Sequence, residues 1–291
     1  MIFTQLLANS LIAGSIYALV AAGFSLIYKT NKFFHFAHGS VVTFSGYMFY
    51  VTFSCLDIGF LFSSLFALIV SALLGLCFYE CVYLPVQKRG ASKAILLIVS
   101  VALMIMMENL ILLFFGANVK IIKIVSSESI NFLGAIITPL QIIIFFVSIL
   151  LLIMLYYVIN KTKIGRNLRA VSDSKELSNI VGINSRKVID FSFLLGSIIA
   201  GVGGILIGLE QNLTHSMGMM LGVKGFTGAI IGGISSVPAS ILGSYVLGVA
   251  ENFGTWYLPS GYKDAISFFL LFLFLLIRPE GLFSKKKERK A

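Results

Sequence analysis

The sequence is poor in charge, proline, cysteine, histidine and tryptophan: of 291 residues 12% are charged, and there are 5 Pro, 3 Cys, 3 His and 1 Trp. With 58% apolar residues and a mean hydropathy of +0.98, this excludes an ordinary soluble domain, in which about a quarter of residues are charged. The cysteines, Cys55, Cys77 and Cys81, are odd in number and set in apolar sequence. That pattern excludes a disulfide framework or zinc site and predicts small buried packing groups. The scattered His35, His38 and His215 assemble no Ser-His-Asp grouping, and two His three residues apart lack a third ligand, so neither catalytic residues nor a metal site is expected. Gly196 and Gly201 have Walker-A spacing, but Val202 stands where Lys is required, so the chain is not expected to hydrolyse ATP.

What is present is a series of apolar runs, several longer than the ~18 residues that favour a spanning helix. The chain reads as an all-α polytopic membrane protein with about eight transmembrane segments, two of them irregular or discontinuous. Most of the 22 Lys and Arg fall in four clusters: Lys29 and Lys32; Lys88, Arg89 and Lys93; seven residues in 161–187; and the tail from Arg278 onward. They lie between every second pair of apolar runs, the positive-inside pattern of cytoplasmic loops, so the net charge of +10 marks membrane orientation and not nucleic-acid binding. No Lys or Arg precedes Lys29, so the first run lacks the basic start of a signal peptide and is also too long for one. It is expected to remain as a span, with the N-terminus outside and the C-terminus in the cytoplasm.

Predicted spans cover about 5–28, 60–84, 94–115, 139–159, 188–209, 238–253 and 265–277. Two further stretches, 33–46 and 211–238, are interrupted by His or Gly. Irregular backbone at membrane depth is tolerated only where it packs in protein or lines a cavity. Paired short, glycine-interrupted segments in two halves point to a transporter's central site, although no residue-by-residue repeat links them. The span at 188–209 carries five glycines, each costing about 1 kcal/mol in a helix interior, which calls for close packing as compensation. Gly204 with Gly208, and Gly228 with Gly232, form GxxxG pairs. Glu108 and Asn109 sit inside the fourth run, where an ionised carboxylate must face protein or water. Glu80 is expected to pair with Lys88 and Arg89 at the interface, and Glu251 and Asn252 lie at the far end of a late helix.

The one substantial polar segment is 161–187. Within it 173–181 is predicted to be a short helix, capped by Ser172, Asp173 or Ser174 and stopped by Gly182 in a left-handed conformation. Leu177, Ile180 and Val181 then share one apolar face. Two readings stay open on physical grounds, a docking helix or a solvated linker whose charges set topology.

GRNLRAVSDSKELSNIVGIN resembles the cytoplasmic coupling loop of ABC importer permeases, with Glu176, Leu177, Ser178 and Gly182 on its E-A-A-x-x-x-G positions. FFHFAHGSVVTFSGY, GVKGFTGAIIGGISSVPASILGSYVLGVAE and YKDAISFFLLFLFLLIRPEGLF are similar, in order, to segments of the branched-chain amino-acid ABC permease family, LivH type. His35 stands where that family has Asn, and Pro238 where it has Gly. The resemblance implies an ABC importer permease fold over 1–291, with a coupling loop at 161–187 and a basic cytoplasmic tail at 278–291. It implies a bacterial cytoplasmic (inner) membrane location, no cofactor of its own, and ATP on partner subunits. The implied partners are a second homologous permease, two cytoplasmic ABC ATPases and a periplasmic or external substrate-binding protein. The expected cargo is branched-chain or related small neutral amino acids, with urea or short amides, or ion-coupled secondary transport, as alternatives. ATPase coupling is expected at Arg166, Arg169, Asp173, Glu176, Leu177, Ile180 and Gly182. A substrate path is expected at His35, His38, Gly39, Glu108, Asn109, Gly225 and Gly232.

Overall fold

The computed structural model describes residues 2–123, 128–132 and 134–283; most of the basic tail, 284–291, lies outside the described residues. A chain this apolar must satisfy its backbone polar groups internally, and helices do so within each segment. The helices are α1 (Ile2–Asn31), α2 (His38–Tyr50), α3 (Phe60–Cys77), α4 (Leu84–Lys88), α5 (Lys93–Phe115), α6 (Pro139–Lys161), α7 (Lys163–Asp173), α8 (Lys175–Ile180), α9 (Ser185–Gln211), α10 (Met217–Gly232), α11 (Val237–Gly254) and α12 (Lys263–Ile277). A π-helical turn, Val51–Cys55, continues α2, and another, Phe78–Tyr83, joins α3 to α4. A small antiparallel hairpin, β1 (Ile130–Phe132) with β2 (Ala135–Ile137), occupies part of the connection between α5 and α6.

The expected count of eight spans, two of them irregular, is not confirmed by length and composition. Among the described residues six helices are long and apolar enough to cross a membrane, or seven if α10 and α11, bent by 113° at their junction, form one span. With 13 residues, α2 is too short to count alone. The irregular stretches are also narrower than predicted, because 38–50 and 217–232 are helical and only 32–37, 212–216 and 233–236 are not.

α1 and α9 form the buried centre, whereas α3, α5, α6 and α12 expose most of their apolar surface. The two central helices run antiparallel: the Thr30 and Ser192 hydroxyls are 2.8 Å apart, Gly23 packs against Gly196, and Gly203 faces Val20. Each long helix also packs on the third helix of the opposite half, α1 on α11 at Gly14 and Gly248, and α9 on α3 at Gly75 and Gly201. The glycines predicted to need close neighbours therefore have them; Gly204 abuts the Val42 backbone and Gly232 the Ala239 backbone. The cysteines are a correction. All three are exposed on the chain's outer faces, where apolar side chains meet lipid without penalty.

The halves repeat a local motif with opposite direction. α1 ends at Asn31 and α9 at Gln211; the next residue is left-handed in each (Lys32 φ 59°, Asn212 φ 69°), followed by a buried apolar residue, Phe33 or Leu213. The chain then turns back into the fold and starts α2 or α10, each with glycine in second place, Gly39 and Gly218. Those two glycines touch one another.

Candidate functional site

Three groupings of polar or functional residues result. The first is the meeting point of α2 and α10. His35, His38 and Gly39 come together here: the two imidazoles are 5.9 Å apart between centroids, and both are buried. His35 Nδ1 lies 2.8 Å from the Tyr83 hydroxyl, inside an aromatic shell of Phe78, Tyr83 and Phe193, while His38 lies against Gly23 of α1. Most N–H groups of the two helix starts are already satisfied within the chain. Ala37 N–H donates to Ser100 Oγ at 3.2 Å, Gly218 N–H to Thr43 Oγ1 at 2.9 Å, and the N–H groups of His38, Gly39, Met217 and Met219 to nearby carbonyls. A half-helix N-terminus attracts a carboxylate through unsatisfied N–H groups. At this crossing the named groups are occupied, so it is built as a packed joint.

The other expected path residues do not join it. Gly225 packs against Val20 of α1, and Gly232 against Ala239 of α11. Asn109 is exposed on α5 and donates to the Ile105 carbonyl of its own helix at 2.8 Å, with Glu108 half-buried beside it.

The second grouping is a face where the basic clusters converge. Lys175 is close enough to Lys32 and Lys93 for both charges, after burial, to push its ammonium pKa down. α7, for which no helix was predicted, is an 11-residue helix capped by the Thr162 hydroxyl; Arg169 donates from Nη1 to the Ile159 carbonyl at the end of α6, and Arg166 is exposed. α8 follows the prediction closely. Ser174 Oγ accepts from Leu177 N–H at 3.2 Å, and Gly182 ends the turn with φ 83°. Leu177, Ile180 and Val181 are 65%, 79% and 72% exposed, a cluster of apolar side chains beside exposed Asp173 and Glu176. Glu80 is a second correction: it pairs with Arg186, across the bundle, and not with Lys88 or Arg89.

The third grouping escaped sequence reasoning. Lys224 Nζ lies 2.9 Å from Asp264 Oδ1 and 3.3 Å from Glu251 Oε1, and Tyr17 donates its hydroxyl proton to Glu251 Oε2 at 2.8 Å. Ser267 donates to Glu251 Oε1 as well, so one carboxylate ties α1, α10, α11 and α12. The signal was a lone Lys inside GVKGFTG with two later acids, Glu251 and Asp264, to neutralise it.

Comparison with known proteins shows what the chain as a whole is similar to. The family described as branched-chain amino acid transport system permease component matches residues 6–275. The chain is 32% identical to the high-affinity branched-chain amino acid transport system permease protein BraD of Pseudomonas aeruginosa, over 99% of this chain and 98% of that one. It is 31% identical to the corresponding protein LivH of Escherichia coli (strain K12), over 99% and 97%. Among solved structures, a chain of PsaBC from Streptococcus pneumoniae in complex with Fab shares the fold, with a TM-score of 0.51 and 13% identity over 95% of this chain and 93% of that one.

Proposed function

Because the chain belongs to the branched-chain amino acid transport permease family, we propose that it is one membrane subunit of an ATP-driven importer for branched-chain or related small neutral amino acids. It pairs with a second permease, so that the translocation path runs between two such subunits, each forming half. Two ATPases on the basic face hydrolyse ATP, and an external binding protein delivers the substrate. The positive-inside rule puts the basic face in the cytoplasm of a bacterial inner membrane.

The observation that carries this reading is α8. A six-residue helix held by a Ser174 cap and a left-handed Gly182 presents Leu177, Ile180 and Val181 to the outside of the basic face. Apolar side chains this exposed, in an aqueous segment beside exposed Asp173 and Glu176, fit insertion into a groove of a partner. The exposed side of α8 is thus the docking element, and the α2–α10 crossing is the joint about which the halves reorient. The N–H groups of Ala37, His38, Gly39, Met217, Gly218 and Met219 at that joint are engaged within the chain, which argues against their holding a substrate carboxylate.

The combined variant Leu177→Asp, Ile180→Asp keeps the cap and the stop but removes the apolar face. ATPase subunits are expected to be lost on purification of the permease, and ATP-driven uptake in membrane vesicles to fall by about 100-fold, as for a lost interface hot spot of ~2–3 kcal/mol. Retention of the ATPases with normal uptake would falsify the docking role. Uptake abolished by an ionophore and indifferent to ATP overturns the ABC reading itself.

A further inference from the structure

Arg186, the second residue of α9, follows the docking segment directly. The preceding Ser185 stitches the two together: its N–H donates to Asn179 Oδ1 at 3.1 Å and its hydroxyl to the Lys175 carbonyl at 3.2 Å. The Ile183 N–H bonds the Ser178 carbonyl at 2.9 Å. α8 and the first turn of α9 are therefore one hydrogen-bonded piece.

From that piece Arg186 reaches across to the π-helical turn that follows α3. Its Nε donates to Glu80 Oε1 at 3.0 Å, and its Nη2 donates to Glu80 Oε2, a two-pronged pair that fixes direction as well as distance. Asp190, one turn further along α9, also faces Glu80, close enough for the two carboxyl groups to share a hydrogen bond. Arg186 thus pairs with one carboxylate, Glu80, that has a second, Asp190, beside it, and the two repel once the guanidinium is removed. Exposed ion pairs contribute little to stability, and Arg186 is 55% exposed, so gluing the fold together is not an adequate account of the pair.

The position of Glu80 supplies one. It lies in the π-helical turn Phe78–Tyr83. Such turns hold one extra residue per turn and recur at functional sites. On the buried side of the same turn, Tyr79 stacks on Phe193 with centroids 5.0 Å apart, and Tyr83 contacts Phe33 at 4.9 Å and hydrogen-bonds His35. Phe33 and His35 belong to the re-entrant stretch that leads into α2 and the joint with α10. The contacts therefore run without a gap from α8, through Ser185, Arg186 and Glu80, to Tyr83, His35 and the start of α2.

We propose that Arg186 and Glu80 are positioning residues for transport, converting displacement of the docking helix into a shift of the π-helical turn and of the stretch 33–37. The proposal rests on the docking role of α8. In the complete importer, Arg186→Glu is expected to leave the ATPases bound and hydrolysing ATP while uptake falls about tenfold, the scale of coupling changes along such contact chains. Arg186→Lys, which keeps the charge and loses the fork, is expected to fall between. Exchanging the charges with Glu80→Arg plus Arg186→Glu is expected to restore most of the uptake per ATP hydrolysed, a recovery that a general packing defect does not give.

Wild-type uptake in Arg186→Glu overturns the proposal, as does a double variant no better than the worse single one. Loss of the ATPases from Arg186→Glu also overturns it, because the pair then merely shapes the docking surface. Failure of the docking reading is separable, since it shows as ATPases retained by the Leu177→Asp, Ile180→Asp chain, whatever residues 80 and 186 do.

Discussion

Gly218→Ala is expected to cost about 3 kcal/mol or more and to eliminate most transport, although it adds a single methyl group. A Cβ at this position would stand 2.0 Å from the Gly39 carbonyl oxygen and 2.1 Å from Thr43 Oγ1. Side chains can rotate away from an added methyl, and overpacking then costs about 1–3 kcal/mol. Here the obstacle is backbone, so α2 and α10 must separate. Separation also breaks the 2.9 Å bond from Gly218 N–H to Thr43 Oγ1 and leaves a buried donor unsatisfied. The symmetry-related change Gly39→Ala puts its Cβ 2.3 Å from the Gly218 carbonyl and is expected to act alike. The double variant should be less damaging than the sum of the two, because helices separated by one methyl accommodate the second. Gly261→Ala, whose Cβ meets nothing within 4 Å, is the control expected to be silent. Thermal unfolding in detergent, with uptake in vesicles, measures all four. Equal stability of wild type and Gly218→Ala would show that the helices are not locked at this crossing.

How far the sequence foretold this crossing depends on which signal is asked for. The irregular stretches at 33–46 and 211–238 were legible, because His and Gly interrupt otherwise apolar runs. Their mutual contact was not. The halves share only a left-handed residue after a long helix, one buried apolar residue and one glycine, too few positions for a repeat to emerge from composition, whereas the backbone reproduces the turn in both. Helix α8 was legible nearly residue by residue, since Ser174, the spacing of Leu177, Ile180 and Val181, and Gly182 each act within one turn of chain. α7 was missed because its many charges masked a helix capped by Thr162. Glu80 was assigned to its sequence neighbours Lys88 and Arg89, while its partner Arg186 lies 106 residues away. Local chemistry is written locally; pairing across the bundle requires the fold.

Lys224→Met is the second substitution with a large expected effect, and it probes a pairing of that long-range kind. Glu251 is fully buried and its carboxylate receives Tyr17, Ser267 and Lys224, the last of which is also largely buried. A carboxylate within apolar helices is tolerated when its charge is matched. Methionine retains the bulk of lysine and removes the match, leaving Glu251 and half-exposed Asp264 as two acids without their cation. Removing one member of a buried pair costs about 3–5 kcal/mol, mostly from the uncompensated partner, whereas replacing the whole pair by groups of similar shape is far milder. Lys224→Met combined with Glu251→Gln is therefore expected to recover much of the stability lost in Lys224→Met alone, since Gln still accepts from Tyr17. Asp264→Asn should cost least, because water or polar neighbours reach its exposed side. The ranking is read from unfolding midpoints of the purified subunit. If Lys224→Met and the double variant unfold together, the network is not held by charge and the four helices meet there through packing alone; if the double variant is the more stable, neutralising Glu251 is what Lys224 does.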